Sequence, residues 1–496
     1  MTGAPPDRVT NLADLVAAAA AQGPNHLALL DAASGDALTW AQADAVVSGQ
    51  AQRLVEAGIG AGDRVAVRLP TGIAYCIAVF AALRAGAMVV PLNVDLPPLA
   101  VQDTLADCGA KLLIGEPVDG VDVPTDSAPA APGQSMASVG GDEDIAVLCY
   151  TSGTSGSSRG VLLSHRALAA NVAQCAAMRP APVTAADRVL IALPLNHAYG
   201  LGPGLLQVAA AGATAVLLPS FGVQTALDAI ERYRVTTVVG VPPMYSALLT
   251  AAHERLHEAL STVRLFTSGA APLPPALLAE MRQVTGLPVY EGYGLTETGP
   301  VVTSTLASGH AKPGSVGRPV PGVEVRLVDT DGDPLPGPDE LDLLADERDG
   351  AGQVSVRGAN LFSGYWPDGG HGPNAEGWFR TGDIGYLDAE GDLHLVDRAG
   401  DLIIVNGFNV YPHEVEQVLG DLPGVREAAV VGVPDDRSGE AVKAVLVVNP
   451  AAGLTQEEVV AHCATRLARF KVPTTVEFAE QLPHSATGKV ARRKLR

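Results

Sequence analysis

Short apolar segments alternate with segments of helical periodicity along much of the chain, and this alternation limits the folds open to it. Residues 64–69 alternate apolar and polar side chains as a strand does, residues 73–86 have helical spacing, and residues 88–92 are mostly apolar. The same order recurs between residues 188 and 268. Strand, helix and strand at such short intervals are typical of a parallel sheet with helices on both faces. The sequence therefore predicts an α/β fold, with a large N-terminal domain of doubly wound sheets.

The periodicity changes toward the end of the chain. Residues 323–328 and 353–357 alternate with period two, which indicates antiparallel strands and predicts a β-barrel-like subdomain. Beyond residues 398–401, strands and helices alternate over a shorter span, which predicts a small C-terminal α+β domain. We therefore expect an N-terminal domain over residues 1–398 and a C-terminal domain over residues 399–496.

The net charge of −21 makes nucleic acids and anionic membrane surfaces poor partners for this chain. No apolar run reaches the roughly 20 residues of a membrane-spanning helix, and the N-terminus lacks the charged and apolar parts of a signal peptide. The five cysteines are scattered without metal-ligand spacing, as expected of reduced core residues. These features predict a cytoplasmic protein with no integral membrane association and no nucleic-acid partner.

Residues 150–161, Tyr-Thr-Ser-Gly-Thr-Ser-Gly-Ser-Ser-Arg-Gly-Val, are rich in glycine and hydroxyl side chains. They follow an apolar run at 145–149 and precede Ser164, a favourable N-cap for a helix over residues 165–178. Backbone N–H groups and hydroxyls in such a loop can surround an anion such as a nucleotide triphosphate. A flexible glycine/serine linker is the alternative. The stretch is not a Walker A loop, because no Lys-Ser or Lys-Thr pair follows its second glycine.

Four further stretches carry polar residues that a plain fold does not need. His197 follows a predicted strand, at the end where open α/β sheets bind ligands. Thr296 and Glu297 set a hydroxyl beside a carboxylate, which suits a hard cation such as Mg²⁺. Asp383 lies between glycines and suits a ribose diol, and Lys489 lies on a turn with no carboxylate nearby. Each stretch alone has a simpler explanation. His197 is then a loop or core histidine, and the stretch with Thr296 and Glu297 is a turn before a helix. Asp383 then lies in a β-turn, and Lys489 is a solvated lysine.

Together, and in this order, the loop at 150–161, Tyr293-Gly-Leu-Thr-Glu297, Thr381-Gly-Asp383 and Thr487-Gly-Lys489 resemble the adenylate-forming superfamily. That superfamily comprises acyl-CoA synthetases, firefly-type luciferases and the adenylation domains of peptide synthetases. The resemblance extends over about residues 10–492. It implies a ligase reaction in which ATP and a carboxylic acid give an acyl-adenylate and pyrophosphate, and a thiol then displaces AMP. It also implies ATP, Mg²⁺ and coenzyme A as cofactors.

The resemblance implies which residues bind the nucleotide. The β- and γ-phosphates would be surrounded by Thr151, Ser152, Gly153, Thr154, Ser155, Gly156 and Arg159. The adenine would lie between two short segments, Gly269, Ala270 and Ala271 on one side and Glu291, Gly292 and Tyr293 on the other. Asp383 and Arg398 would bind the ribose hydroxyls.

The catalytic residues that the resemblance implies are His197, Thr296, Glu297 and Lys489. Glu297 would hold Mg²⁺, Thr296 would contact the α-phosphate, and His197 would lie beside the reacting carboxylate. Lys489 would reach the carboxylate and the α-phosphate from a mobile C-terminal domain, where its positive charge offsets the developing negative charge. Rotation of that domain about a hinge would then place Gly407 in the pantetheine tunnel for the second step.

Three features depart from the family pattern. Ser158 and Arg159 stand where the loop usually has proline and lysine; arginine keeps the positive charge, so we expect phosphate binding to persist. Gly400 stands at the hinge position that is usually aspartate or lysine, which widens the backbone freedom of the hinge. Residues 336–352 replace a short turn, and no function is predicted for them.

The acid is predicted from the segments expected around it, which are 199–204, 241–245, 268–270, Gly292 and Val301. The glycines at 200, 202 and 204 are expected to leave space for a long or bulky acid. The absence of lysine and arginine from these segments disfavours a dicarboxylate. We therefore expect a medium- or long-chain fatty acid, with an aryl or polycyclic acid as the alternative.

Coenzyme A is the expected acyl acceptor. The alternative is an acyl-AMP ligase that loads an acyl carrier protein, although no insertion typical of the fatty acyl-AMP ligases is present. A third hypothesis is a non-catalytic nucleotide-binding relative of the same superfamily. The presence of Glu297, Asp383 and Lys489 argues against that third hypothesis.

Overall fold

The structure is a computed structural model that describes residues 9–121, 123–152, 158–336, 350–398, 403–405, 408–435, 439–467, 469–484 and 490–495. Contacts between Cα atoms divide the chain into two compact units. The first unit ends at Val325 and also includes Val356–Phe379; the second consists of Arg326–Ser355 and Arg380–Arg496. The domain boundary predicted after residue 398 stays a prediction, because residues 399–402 lie outside the described residues.

The helices of the described residues are short and mostly separated by single strands. They are α1 Asp14–Gln22, α2 Trp40–Glu56, α3 Ile73–Arg84, α4 Pro98–Cys108, α5 His165–Ala176, α6 Gln207–Ala211, α7 Val223–Tyr233, α8 Pro242–Leu248, α9 His253–Ala259, α10 Pro275–Thr285, α11 Thr305–Ser308, α12 Pro412–Gly420 and α13 Gln456–Ala464.

The strands fall into an N-terminal and a C-terminal set. The first set is β1 Leu27–Asp31, β2 Ala37–Thr39, β3 Arg64–Arg68, β4 Met88–Pro91, β5 Leu112–Gly115, β6 Thr125–Asp126, β7 Ile145–Ser152, β8 Ser158–Ser164, β9 Arg188–Ile191, β10 Thr214–Leu217, β11 Thr237–Gly240, β12 Leu265–Ser268, β13 Val289–Gly294, β14 Val301–Ser304 and β15 Arg318–Pro319. The second set is β16 Val323–Val328, β17 Gly352–Gly358, β18 Trp378–Leu387, β19 Leu393–Arg398, β20 Ile403–Val405, β21 Phe408–Val410, β22 Val425–Asp435, β23 Gly439–Val448 and β24 Thr475–Phe478.

The first unit contains two sheets that are largely parallel at their centres. One has the strand order β15-β14-β13-β12-β11-β9-β10-β1-β2, and the other has the order β6-β5-β3-β4-β7-β8. Strands β10, β9, β11, β12 and β13 pair in parallel, each with its neighbour in that order. Apolar residues from both sheets and the helices between them form one core, so the predicted doubly wound α/β architecture is confirmed.

The described residues on either side of the glycine/hydroxyl loop, in β7 and β8, pair as antiparallel strands. Thr151 pairs with Arg159, and Ser152 pairs with Ser158. The residues between them, 153–157, lie outside the described residues. After β8 the side chain of Ser164 accepts a hydrogen bond of 3.1 Å from the backbone N–H of Ala167, so the predicted N-cap of α5 is confirmed.

The helical segment over residues 200–211 begins in an unusual way. Gly200–Leu206 is π-helical and contains Pro203, and only Gln207–Ala211 is α-helical. Proline removes a backbone donor, and π-helical turns inside helices are frequent at functional sites. Gly212 ends the helix with φ 64°, a left-handed conformation that favours glycine.

The second unit carries its own small core. Strands β21, β20, β23 and β22 form a sheet in that order, β24 adds to β23, and α12 and α13 contribute buried residues to the same cluster. This α+β arrangement confirms the predicted small C-terminal fold. Strands β18 and β19 pair antiparallel. The residues of β16, β17 and β18 are divided between the two units, and the β-barrel-like subdomain stays a prediction.

All five cysteines are buried and free, as predicted for reduced core residues. Among the described helices, none has both the length and the apolar character needed to cross a membrane.

Candidate active site

The turn that carries Thr296 and Glu297 is firmly anchored. Residues Thr296–Thr298 form a 3₁₀ turn between β13 and β14. The hydroxyl of Thr298 accepts a hydrogen bond of 3.0 Å from the backbone N–H of Leu295, and the Asn360 amide donates one of 2.7 Å to the Thr298 carbonyl. These bonds fix the backbone from which both predicted catalytic side chains project.

Glu297 is held by Tyr365, which the sequence did not single out. The Tyr365 hydroxyl donates a hydrogen bond of 2.8 Å to Oε1 of Glu297, and the Phe362 backbone N–H donates one of 3.0 Å to the Glu297 carbonyl. Within the described residues, Oε2 of Glu297 accepts no hydrogen bond, so one carboxylate oxygen remains for a cation. An oriented carboxylate of this kind fits Mg²⁺, which binds few protein oxygens and keeps its other positions for water and phosphate.

Arg159 and Glu297 contact the same tyrosine. The guanidinium carbon of Arg159 lies 5.5 Å from the centroid of the Tyr365 ring, a distance suited to a cation–π contact. Burial and the neighbouring Glu297 carboxylate raise the pKa of Tyr365, so its hydroxyl stays protonated and can donate. The exposed Arg159 side chain thus lies near both the start of β8 and the Glu297 turn.

The segments predicted to flank adenine lie on neighbouring strands. Gly269, Ala270 and Ala271 follow β12, and Glu291 of β13 pairs in register with Ser268 at the end of β12. Gly292 and Tyr293 follow Glu291 in β13. The structure therefore brings these two segments together at the carboxyl ends of parallel strands, where α/β sheets bind ligands.

Two details of this edge are strained or strongly perturbed. Ala270 has φ 65°, a left-handed conformation that costs a non-glycine residue about 1–2 kcal/mol. Glu291 is only 6% exposed and accepts a hydrogen bond of 2.9 Å from the backbone N–H of Leu273. Burial raises the pKa of Glu291 to about 8, although that hydrogen bond lowers it. Glu291 is therefore mostly protonated at neutral pH.

His197 lies in the turn after β9. Its backbone N–H donates to the Pro194 carbonyl at 3.1 Å, and its Nδ1 accepts a hydrogen bond of 3.2 Å from the backbone N–H of Tyr199. A backbone N–H can only donate, so Nδ1 carries no proton, and the neutral ring is protonated at Nε2. In this tautomer Nε2 is a hydrogen-bond donor.

A cavity lies beside Tyr199, between α5, the π-helical segment and the sheet. Its lining includes Met178, Val183, Tyr199, Pro203, Val239 and Val301, and no charged side chain among the described residues borders it. The cavity encloses about 60 Å³. A cavity of about 150 Å³ holds benzene, so a ring or a longer chain enters only when lining side chains move. Met178 is suited to such movement because its thioether side chain is unbranched and adaptable.

The space expected beside Gly200 and Gly202 is already filled. A Cβ atom added to Gly200 would lie 2.3 Å from the Pro194 carbonyl oxygen, and one added to Gly202 would lie 2.7 Å from Pro300. These glycines allow close packing of the π-helical segment, and like Gly204 they do not border the cavity. Residues 241–245 do not border it either. Within them, Tyr245 is buried and its hydroxyl donates to the Thr267 carbonyl at 2.5 Å.

The predicted ribose-binding pair lies in the second unit. Asp383 of β18 and Arg398 of β19 are directly opposite each other in the antiparallel register. Asp383 is 6% exposed, and its backbone N–H donates a hydrogen bond of 3.1 Å to the Thr381 hydroxyl. The register therefore places the backbones of these two residues side by side.

Several predicted site residues lie outside the described residues. They are Gly153, Thr154, Ser155, Gly156, Gly400, Gly407 and Lys489. The segment that contains Lys489 is flanked by an isolated antiparallel bridge between His484 and Val490, and the Ala491 N–H donates to the Pro483 carbonyl at 2.7 Å. The chain therefore doubles back on either side of that segment.

Sequence reasoning missed Tyr365, Asn360 and Gln207. Tyr365 and Asn360 come from a glycine-rich stretch with no periodicity, so no local signal relates them to Glu297. Gln207 is only 2% exposed and borders the cavity. Its polar side chain within the otherwise apolar segment 205–209 is the one sequence signal that could have identified Gln207.

Family models and relatives agree with this geometry. The model described as AMP-binding enzyme matches residues 16–366, and the model described as AMP-binding enzyme C-terminal domain matches residues 414–489. A feruloyl-CoA synthase of an Amycolatopsis species is 38% identical over 477 residues, which cover 93% of this chain and 94% of the relative. A long-chain-fatty-acid–CoA ligase of Yersinia pestis is 34% identical over 547 aligned positions, which cover 99% of this chain and 95% of the relative.

Solved structures show the same fold. ATP-bound MatB from Rhodopseudomonas palustris superposes with a TM-score of 0.89 at 33% sequence identity, covering 98% of each chain. The two family models and this likeness together cover both units of the chain. The chain therefore belongs to the AMP-binding enzyme family and is an adenylate-forming acid–CoA ligase that uses ATP, Mg²⁺ and coenzyme A.

Proposed function

We propose that this ligase activates a hydrophobic monocarboxylic acid, first to an acyl-adenylate and then to an acyl-CoA. The observation that carries the proposal is the cavity beside Tyr199, where no charged side chain of the described residues borders the space. A second carboxylate buried there would have no cationic partner, and burial of an unpaired charge is strongly unfavourable. The tail of the acid is therefore uncharged.

A medium- or long-chain fatty acid is the first candidate. Met178, Val183 and Val239 offer aliphatic contact to such a chain, and the relative from Yersinia pestis is named for an acid of this kind. An aryl or polycyclic acid is the second candidate. The Amycolatopsis relative is named for the feruloyl group, and Tyr199 and Tyr290 place aromatic rings in the lining.

The first half-reaction joins two anions, the acid carboxylate and the α-phosphate, so charge repulsion dominates its barrier. In our proposal the Nε2–H of His197 hydrogen-bonds the reacting carboxylate and Thr296 contacts the α-phosphate. Lys489 supplies a positive charge to both reacting groups. Mg²⁺ held by Glu297 supplies further neutralisation of phosphate charge.

The remaining residues are proposed to bind the three parts of ATP. Arg159 and the loop residues 151–156 bind the β- and γ-phosphates, the segments 269–271 and 291–293 flank the adenine, and Asp383 with Arg398 binds the ribose.

In the second half-reaction we propose that residues 399–496 rotate at Gly400, so that Gly407 lines the path of the pantetheine thiol. An acyl carrier protein is the proposed alternative acceptor beside coenzyme A. The location is proposed to be cytoplasmic, which five free, buried cysteines support.

The test measures pyrophosphate release with octanoic, palmitic, ferulic and succinic acids, each with and without coenzyme A. We expect release with at least one hydrophobic acid, and a CoA thioester only when coenzyme A is present. Succinic acid should give no release above background. Equal rates with succinic acid would contradict the hydrophobic assignment, and release without any thioester would favour a carrier-protein acceptor.

A further inference from the structure

The apolar cavity contains two buried polar groups that have no hydrogen-bond partner. Gln207 and Thr237 border the cavity and are 2% and 0% exposed. Within the part of the chain that the structure describes, Nε2 of Gln207 and Oγ1 of Thr237 have no hydrogen-bond partner. Native proteins pair the large majority of buried polar atoms, because an unsatisfied one loses its hydration without compensation.

The positions of both residues direct them toward the cavity. Gln207 follows Pro203 by four residues, so the two lie on one side of the helical segment, and both border the cavity. Thr237 precedes Val239 by two residues in β11, so both side chains leave the sheet on one face, and Val239 also borders the cavity. One polar group therefore comes from the helical wall and one from the sheet.

A third unpaired hydroxyl, that of Ser268, does not join this pair. Ser268 borders the cavity, but it is adjacent in β12 to Thr267, which pairs with Val239. Successive residues of a strand point to opposite faces. The Ser268 side chain therefore leaves the sheet on the face opposite to Thr237 and Val239.

We propose that Gln207 and Thr237 bind an uncharged oxygen substituent on the tail of the acid, so that the substrate class is an oxygenated hydrophobic acid. This inference rests on the proposed function. The Gln207 amide donates to an acceptor oxygen, and the Thr237 hydroxyl can donate or accept. A hydroxyl group satisfies both residues at once, whereas a carbonyl or methoxy oxygen accepts from both. An unsubstituted tail leaves both groups unpaired in a dry site.

The wild-type enzyme tests the inference with matched acids. The aryl pair is cinnamic acid and its para-hydroxy derivative, and the aliphatic pair is octanoic acid and its ω-hydroxy derivative. We expect the hydroxylated member of at least one pair to have a kcat/KM for pyrophosphate release about 10-fold or more above its parent, since sites built for a hydroxyl reject acids that lack it. The pair that shows the preference identifies whether the tail is aryl or aliphatic. Equal values, or a preference for the parent in both pairs, would overturn the inference.

Two variants test the residues themselves. Gln207→Leu and Thr237→Val should each reduce the preference to about 3-fold or less, because each replacement removes one hydrogen bond to the oxygen substituent. The control is Thr214→Val in β10, whose hydroxyl donates to the Leu27 carbonyl at 2.7 Å and which does not border the cavity. That variant should keep the full preference, and thermal melts should show that all three variants fold.

The outcomes separate this inference from the proposed function. Pyrophosphate release with every hydrophobic acid but no preference would leave the function standing and overturn the roles of Gln207 and Thr237. A preference that persists unchanged in both variants would also overturn those roles. No release with any acid would contradict the function itself, and with it this inference.

Discussion

The hydroxyl of Tyr365 lies 2.8 Å from Oε1 of Glu297, although the two residues are 68 positions apart in the chain. Tyr365 also has the Arg159 guanidinium over its ring at 5.5 Å. It therefore connects the proposed Mg²⁺ ligand with the hairpin that leads to the phosphate loop. Hydrogen-bond partners of this kind orient a ligating carboxylate, and their loss lowers the affinity of the site for the metal.

Replacement of Tyr365 by phenylalanine should weaken Mg²⁺ binding. Tyr365→Phe keeps the ring under Arg159 but removes the hydrogen bond that orients Glu297, and loss of such a partner typically costs 10- to 100-fold in metal affinity. We expect the Mg²⁺ concentration for half-maximal pyrophosphate release to rise about 10-fold. The control is Tyr233→Phe, because the buried Tyr233 hydroxyl has no hydrogen-bond partner among the described residues. An unchanged Mg²⁺ requirement in Tyr365→Phe would argue against the positioning role.

Glu291 should make stability depend on pH. Its pKa is raised from 4.5 to about 8, so between these values the folded state holds a proton that the unfolded state releases. The stabilisation is complete below pH 4.5 and is lost as the pH rises toward 8. Glu291→Gln keeps the acceptor for the Leu273 N–H and removes the titration.

The measurement is a set of thermal melts at pH 6 and pH 8.5. We expect the wild type to lose stability between these values by on the order of a few kcal/mol more than Glu291→Gln does. Parallel curves for the two proteins would show that Glu291 ionises normally in the folded state.

Gly269 should not tolerate a side chain. A Cβ atom there would lie 2.8 Å from the ring of Tyr199, which borders the cavity. Gly269→Ala would push that ring out of position, and overpacking of this kind typically costs 1–3 kcal/mol. We expect kcat/KM for the acid to fall about 10-fold or more. Gly60→Ala is the matched control, because no heavy atom lies within 4 Å of its added Cβ atom. Similar kinetics for both variants would place the acid elsewhere.

Lys489 should matter for one half-reaction only. Lys489→Ala removes the charge proposed to stabilise adenylate formation, and loss of one such group commonly costs 10²–10³ in rate. Thioester formation from supplied acyl-AMP should stay close to wild type, because rotation at Gly400 withdraws Lys489 before that step. Equal losses in both half-reactions, measured with acyl-AMP of the same acid, would contradict the rotation.

Local patterns predicted the scaffold well. Between residues 188 and 268, where strands and helices were expected to alternate, Arg188–Ile191 and Thr237–Gly240 form strands, and Ser164 caps α5. These features depend on neighbours in sequence, so periodicity and capping rules suffice to find them. The pairing of Asp383 with Arg398 is consistent with the ribose site that the resemblance implied, although their roles stay predictions.

Long-range features could not be predicted in this way. Tyr365 reaches Glu297, and Asn360 reaches the Thr298 carbonyl, only because the fold brings distant segments together. The glycines at 200 and 202 were misinterpreted for a similar reason. Their missing side chains face Pro194 and Pro300 rather than the cavity, and sequence shows where a glycine is but not what lies against it.

The most direct test of the central claim is mass spectrometry of the products formed from ATP, Mg²⁺ and a hydrophobic acid, before and after addition of coenzyme A. The account predicts acyl-AMP and pyrophosphate in the absence of coenzyme A, and conversion of the acyl-AMP to acyl-CoA with release of AMP once it is added. Formation of ADP and phosphate, or no adenylate with any hydrophobic acid, would contradict it.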